Sequence, residues 1–130
     1  MSTGDLSAIL SQLRAEIESR IREELSGYSN AGRRILYDMV TPIYLNIIAD
    51  SQECNFEFLA GGSIQLSSGL SSNPDVSVKG DLASLRNAVL ARDGRVFEEA
   101  EREGRIVVTG HTWKGRQVMQ KVRELLASNP

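Results

Sequence analysis

The two side chains with the most distinctive chemistry in this sequence, a histidine and a cysteine, occur once each. His111 follows a predicted strand and precedes a predicted helix, a position that often holds a catalytic or anion-binding group. A single histidine without a partner at a recognisable spacing is more often a turn or capping residue, which is the interpretation we favour. Cys54 lies on the apolar side of an alternating segment and is predicted to be a small core residue.

Two further patterns are incomplete as phosphate or catalytic sites. Residues 110–115 (GHTWKG) combine glycine, lysine and a predicted helix start, but they lack the Lys-Ser/Thr pair of a phosphate-binding loop. A run of carboxylates alternates with arginines, as on a solvated helix face, and comprises Glu98, Glu99, Glu101 and Glu103. No nucleophile elbow or marked acid–base pair is found, so we predict a protein that is not an enzyme and has no catalytic residues.

Length, charge and composition exclude several classes of protein. At 130 residues the chain has the size of one domain. Its net charge of −2 argues against a nucleic-acid binder, and one cysteine with one histidine excludes disulfide scaffolds and the common metal sites. No apolar run reaches the roughly 18 residues of a membrane span, and no secretory signal opens the sequence. We therefore expect a soluble, cytoplasmic domain without a transmembrane segment, metal or cofactor.

The elements that must position any site begin with two predicted helices. Apolar residues recur every three or four positions between residues 5 and 25, which predicts an amphipathic helix. Its apolar stripe comprises Leu6, Ile9, Leu10, Leu13, Ile17, Ile21 and Leu25. A second helix is predicted over residues 30–39. Its core-facing residues are expected to be Ile35, Leu36 and Met39.

The middle of the chain is predicted to form strands, because apolar residues alternate there between segments rich in turn residues. Three strands of an antiparallel meander are expected at residues 43–49, 53–60 and 63–67, and a fourth strand at residues 75–79. The pattern then returns to helices. These are expected from Asp81 to Ala91, around residues 96–102 and, after a fifth strand at residues 105–109, from Thr112 to Ala127.

The last predicted helix has two features with alternative interpretations. Trp113 is either a core anchor, which we favour, or a rim residue at the mouth of a cavity. The basic residues either form a solvated face or contact an acidic head group or an anionic partner. These basic residues are Lys114, Arg116, Lys121 and Arg123.

Several segments of the carboxy-terminal half together resemble the sterol carrier protein type 2 (SCP2) family. They are residues 75–81 (DVSVKGD), the helix at 82–90, the glycine-bounded strand at 104–110 (GRIVVTG) and the closing amphipathic helix. His111 stands where the family usually has an aspartate. The resemblance covers residues 30–126 and implies an α/β (α+β) fold, with a five-stranded mixed sheet covered by helices. The chain is accordingly predicted to consist of an amphipathic helix over residues 1–29, followed by an SCP2-like lipid-binding domain over residues 30–130.

The resemblance also implies an apolar tunnel between sheet and helices that binds a lipid, fatty acid or acyl-CoA without chemistry. By position, the tunnel lining comprises Phe56, Phe58, Ile64, Leu66, Val76, Val78, Leu82, Leu85, Val89, Trp113, Val118, Met119, Val122 and Leu126. With a filled core, the protein would instead be an interaction or dimerisation module, such as an accessory subunit to a lipid or quinone biosynthetic enzyme. The apolar stripe of residues 6–25 either packs on the sheet or forms a homodimer seam.

Overall fold

Five strands form one mixed sheet in the computed structural model, which describes residues 3–26, 31–91 and 94–127. The strands are β1 (Ile43–Ala49), β2 (Gln52–Phe58), β3 (Ile64–Ser68), β4 (Val76–Gly80) and β5 (Ile106–Gly110). Their order across the sheet is β3-β2-β1-β4-β5. The strands β1 and β4 are parallel, and the other neighbours are antiparallel. The predicted meander and mixed five-stranded sheet are therefore confirmed.

The described residues also form five helices, which lie on one face of the sheet. They are α1 (Thr3–Leu25), α2 (Ala31–Val40), α3 (Leu82–Ala91), α4 (Gly94–Arg102) and α5 (Trp113–Ala127), with a short 3-10 turn at Ala60–Gly62. Buried residues of α1, α3 and α4 share a single core with the apolar face of the sheet. None of the helices in the described part of the chain is long and apolar enough to cross a membrane.

The first helix is fixed on β2 and β3 by polar contacts as well as by its apolar stripe. Leu6 N donates a buried hydrogen bond of 3.0 Å to Gln52 Oε1, and Ile64 N donates one of 2.8 Å to Glu18 Oε2. Five residues of the stripe are buried in the core, namely Leu6, Leu10, Ile17, Ile21 and Leu25. The homodimer seam predicted through residues 6–25 is therefore not available, because the chain's own core covers it. The predicted boundary at residues 29 and 30 lies outside the described residues.

The second helix turns a different side toward the core from the one predicted. Ile35 and Met39 are 61% and 74% exposed, whereas Tyr37 and Val40 pack against the core. The side chain of Leu36 lies outside the described part of the structure. The prediction was wrong for Ile35 and Met39 because polar anchoring sets the rotation of this short helix. Gly61 N donates a hydrogen bond of 2.9 Å to the carboxylate of Asp38.

The connection from β3 to β4 crosses the opposite face of the sheet. Asn46 exchanges two hydrogen bonds with the backbone of Ser71, at 2.8 and 3.0 Å, and Asn55 Nδ2 donates one of 3.0 Å to Gly69 O. Exposed polar residues occupy much of the rest of this face, among them Glu53, Gln65 and Lys79. A continuous apolar surface is therefore confined to the face under the helices.

Asp81 and Thr112 each cap the helix that begins after them. Ser84 N donates a hydrogen bond of 2.8 Å to the carboxylate of Asp81 at the start of α3, and this bond lowers the pKa of Asp81. At the start of α5, Gly115 N donates one of 3.1 Å to the hydroxyl of Thr112. Each cap accepts a backbone hydrogen bond that the first turn of a helix cannot satisfy within the helix.

Candidate functional site

The predicted lining residues on the strands share one face of the sheet, and the strand register places them side by side. Phe56 lies opposite Leu66, and Phe58 lies opposite Ile64. The rings of Phe56 and Phe58 pack edge to face with their centroids 6.2 Å apart. Five of the six strand residues are buried, namely Phe56, Phe58, Ile64, Val76 and Val78, and Leu66 is half-buried.

Strand β1 joins the two halves of this apolar face, although none of its residues was predicted to line the site. Leu45 lies between Phe56 on one side and Val76 on the other. Ile47 similarly lies next to Val78, and both β1 residues are buried. One side of β1 carries Ile43, Leu45, Ile47 and Ala49, and the other side includes Tyr44 and Asn46. The alternation therefore favours the first side as the inward one, and the strand register confirms it.

The helices cover this face with side chains that are less completely buried than those of the strands. Leu85 is buried, whereas Leu82, Val89, Val118 and Met119 are half-buried. The predicted lining residues Val122 and Leu126 belong to α5, and their side chains lie outside the described part of the structure. The layer of helices therefore meets a fully buried strand surface with several incompletely buried apolar side chains.

Trp113 does not belong to the core. Its side chain is 64% exposed, so the favoured prediction of a core anchor was wrong. The reason is helical periodicity, because Gly115 and Met119 lie four residues apart on the inward side of α5 and Trp113 lies on the outward side. A position at the rim of a site is compatible with this exposure.

The two residues whose side chains could be reactive, His111 and Cys54, form no catalytic site within the described part of the chain. One lies away from the apolar face, and the other is buried in it as an unreactive thiol. His111 Nε2 lies 2.9 Å from the hydroxyl of Ser77 on the opposite, exposed face of the sheet. Among the described residues no carboxylate holds the other ring nitrogen of His111, so this pair lacks the third group of a catalytic triad. Cys54 is buried among apolar residues, and burial raises the pKa of its thiol, which keeps it protonated and unreactive.

One buried polar atom at the edge of the core, the hydroxyl oxygen of Tyr37 on α2, has no hydrogen-bond partner among the described residues. Burial and the nearby carboxylates of Asp38 and Glu18 raise the pKa of Tyr37 to about 12. A buried hydroxyl without a hydrogen bond costs about 1–3 kcal/mol. Tyr37 was not singled out from the sequence, because its neighbours Leu36 and Asp38 do not show that its hydroxyl is buried.

An open groove on the outer side of α1 has a different character. Its volume is about 480 Å³, and it is lined by Ala15, Glu16, Ser19, Arg20 and Glu23. None of these residues was predicted to line a site. A groove lined mainly by polar and charged side chains is unsuited to hold an apolar chain, so the apolar face of the sheet remains the candidate site.

Comparison with known proteins identifies the fold. No family model and no curated protein sequence matches the chain. Among solved structures, the chain is similar to sterol carrier protein domain 2 of Helicoverpa armigera, with a TM-score of 0.57, 12% identity and coverage of 94% of this chain and 91% of that one. It is also similar to sterol carrier protein 2 like 2 of Aedes aegypti, with a TM-score of 0.52, 16% identity and coverage of 93% and 95%. The chain therefore has an SCP2-like fold, as the sequence predicted.

Two other similarities connect the same fold with different proteins. A structure described as a UbiJ-SCP2 ubiquinone synthesis protein matches with a TM-score of 0.52, 17% identity and coverage of 92% of this chain and 95% of that one. A variant of the sec-alkyl sulfatase PisA1 matches with a TM-score of 0.50 and 22% identity over 68% of this chain. That match spans 13% of the sulfatase. At these identities the similarities show the fold alone, which several kinds of protein share.

Proposed function

We propose that this protein binds the apolar chain of a lipid, fatty acid or acyl-CoA between its helices and the apolar face of its sheet. The ligand is carried without chemical change, in the cytoplasm. The observation that carries the proposal is the apolar face itself, which is continuous across the strands and covered by half-buried apolar residues of the helices. Burial of an acyl chain there supplies about 0.8 kcal/mol per methylene group.

The position of Met119 supports an adaptable binding space. Met119 lies on the side of α5 that packs against the core and is half-buried. Methionine is flexible and fills irregular gaps, so it accommodates chains of different shape. Val118, next to it, is also half-buried against the core. We expect both residues to contact the ligand, together with Leu66 on β3 and Leu82 on α3.

The direct test is native mass spectrometry of the purified protein, combined with displacement of a fluorescent fatty acid by lipids of several chain lengths. We expect a lipid to co-purify and the displacement constants to depend on chain length. If no lipid co-purifies and no chain length displaces the probe, the proposal is wrong.

A matched pair of variants locates the binding space. Met119→Trp places a large ring in it and is expected to abolish displacement. Gln117→Trp adds the same ring to an exposed position of the same helix and is expected to leave displacement unchanged. Both variants must keep a cooperative thermal transition near that of the unsubstituted protein. Unchanged displacement in Met119→Trp, or equal loss in the two variants, would contradict a binding space under α5.

A second candidate function is suggested by the similarity to the ubiquinone synthesis protein. In this alternative the core is filled, and the protein is an accessory subunit to a lipid or quinone biosynthetic enzyme. In that case we expect that no lipid can be displaced from the protein. We also expect the protein to co-elute with an identified enzyme of this class and to stimulate that enzyme's activity. Lipid binding by the isolated protein without any stimulation favours the carrier function.

A further inference from the structure

The corner of the fold around Tyr37 adjoins one end of the candidate site. Tyr37 belongs to α2, which contacts both α1 and the turn at Ala60–Gly62. Strand β2 ends at Phe58 just before this turn, and β3 begins at Ile64 just after it. The two residues are paired across the strands and are buried. The aromatic ring of Tyr37 packs against the core to which Phe58 and Ile64 belong. Glu18, which accepts a hydrogen bond from Ile64 N, also acts electrostatically on the Tyr37 phenol, so the hydroxyl lies near the Phe58–Ile64 end of the apolar face.

The hydroxyl of Tyr37 is a donor without an acceptor. Its oxygen is buried and has no hydrogen-bond partner among the described residues. Neither nearby carboxylate accepts a hydrogen bond from it; Glu18 accepts one from Ile64 N and Asp38 accepts one from Gly61 N. A phenylalanine would fill the same space without leaving a polar atom unpaired. The cost of burying the Tyr37 hydroxyl is therefore offset only when a bound molecule accepts its hydrogen bond.

We propose that the Tyr37 hydroxyl donates a hydrogen bond to the polar end of the bound lipid, and that this end is a neutral acceptor such as an ester, ketone or hydroxyl oxygen. This inference rests on the proposed lipid-binding function and specifies its ligand class. It also orients the ligand, with its polar end at the corner between α1, α2 and the turn at Ala60–Gly62. The apolar chain then runs along the sheet from Phe58.

The charges around the hydroxyl select a neutral group over a carboxylate. Glu18 and Asp38 both disfavour a negative charge at Tyr37, and burial does so more strongly. Glu18 forms ion pairs with Arg14 at 3.3 Å and with Arg22 at 3.8 Å, yet its charge still raises the pKa of Tyr37 and so disfavours a negative charge at the hydroxyl. A ligand carboxylate bound to the same hydroxyl would meet the same repulsion and the same loss of hydration. A neutral oxygen avoids both costs and still accepts the hydrogen bond.

The experiment compares Tyr37→Phe with the unsubstituted protein, using three probes that share one alkyl chain. These are the methyl ester, the free carboxylate and the unsubstituted hydrocarbon, each measured by displacement of an apolar fluorescent reporter. We expect Tyr37→Phe to weaken binding of the methyl ester about tenfold, the effect of losing one neutral hydrogen bond. Hydrocarbon binding is expected to stay within about twofold. Tyr44→Phe is the control, because Tyr44 lies on the opposite face of the sheet, and it is expected to leave the binding of all three probes unchanged.

Other outcomes overturn the inference in distinguishable ways. If Tyr37→Phe leaves ester binding unchanged, the hydroxyl is not the ligand contact and is satisfied by internal water. If it weakens the ester and the hydrocarbon equally, Tyr37 acts through packing. A larger loss for the carboxylate than for the ester overturns the assignment of a neutral group. If the unsubstituted protein binds none of the three probes, the proposed function fails together with the inference.

Discussion

The hydroxyl of Thr112 donates a hydrogen bond of 2.7 Å to Oδ1 of Asp75, which joins the start of α5 to the residue that precedes β4. The other carboxylate oxygen, Oδ2, accepts a bond of 2.9 Å from Tyr44 N on β1, and the Asp75 carbonyl accepts one of 2.8 Å from His111 N. Asp75 is itself buried. One side chain therefore holds β1, β4 and α5 in register at the end of the candidate site.

Replacement of Asp75 tests this connection. Asp75→Ala leaves Tyr44 N without its acceptor and frees the Thr112 hydroxyl, so we expect the free energy of unfolding to fall by about 2–3 kcal/mol. Urea denaturation measures the change. A double-mutant cycle with Thr112→Val is the control, and it is expected to show a coupling of about 1 kcal/mol. Additive effects would mean that the two side chains do not interact in solution.

Gly115 provides a second test of the same contact, because helix propensity and packing predict opposite results there. Alanine stabilises the interior of a helix by about 1 kcal/mol relative to glycine. At Gly115, however, a Cβ atom would clash with the carbonyl oxygen of Asp75, which is backbone and has little freedom to move. We expect Gly115→Ala to lower the free energy of unfolding by about 1–3 kcal/mol, as overpacking does.

The matched control for Gly115 is Gly32, in α2, where an added Cβ would meet no atom within 4 Å. Gly32→Ala is expected to raise the free energy of unfolding by up to about 1 kcal/mol. Chemical denaturation of both variants measures the two opposite effects. If both substitutions stabilise the protein, α5 lies farther from Asp75 than the structure places it.

Strand patterns in the sequence predicted much of the fold, because the alternation of a strand has a period of two and leaves only two choices of side. Phe56 and Phe58 therefore fell on the correct face, and the register confirmed it. Residues 75–81 were part of the resemblance to a known family. The hydrogen bonds of the Asp75 carboxylate, however, come from Tyr44 and Thr112, which are distant in sequence. Such long-range contacts have no signature in local spacing.

Helix faces were harder to predict, since a short helix offers several rotations and the most apolar one is not always inward. Ile35 and Met39 are exposed in α2, while Tyr37, a less apolar residue, faces the core. Trp113 was misplaced for a different reason. The favoured interpretation was a core anchor, although the position of Trp113 relative to Met119 in the helical repeat puts it on the outward side of α5. The role inferred for Tyr37 rests on the buried environment of its hydroxyl, which the sequence does not show.

The raised pKa of Tyr37 predicts a loss of stability at alkaline pH. In the unfolded chain the phenol ionises near pH 10, whereas in the folded protein it keeps its proton until about pH 12. Between these values the unfolded state binds fewer protons, so the free energy of unfolding decreases as pH rises. We expect Tyr37→Phe to lose stability less steeply than the unsubstituted protein over this range, as measured by urea denaturation at several pH values. Parallel pH profiles would show that the Tyr37 hydroxyl is not buried in solution.

The exposure of Trp113 is tested by its fluorescence, because it is the only tryptophan in the chain. We expect the native protein to emit at a wavelength close to that of the unfolded protein and to be quenched efficiently by iodide. A blue-shifted native emission that resists quenching would place Trp113 in an apolar contact instead.

Stability measurements distinguish the rim position of Trp113 from a place in the core. Trp113→Ala is expected to change the free energy of unfolding by less than about 0.5 kcal/mol, since the side chain is 64% exposed. Phe58→Ala is the comparison, because Phe58 is 1% exposed, and its truncation is expected to cost about 3–5 kcal/mol. Urea denaturation of both variants measures the difference. A cost for Trp113→Ala as large as that for Phe58→Ala would mean that another part of the chain, or another molecule, covers the tryptophan in solution.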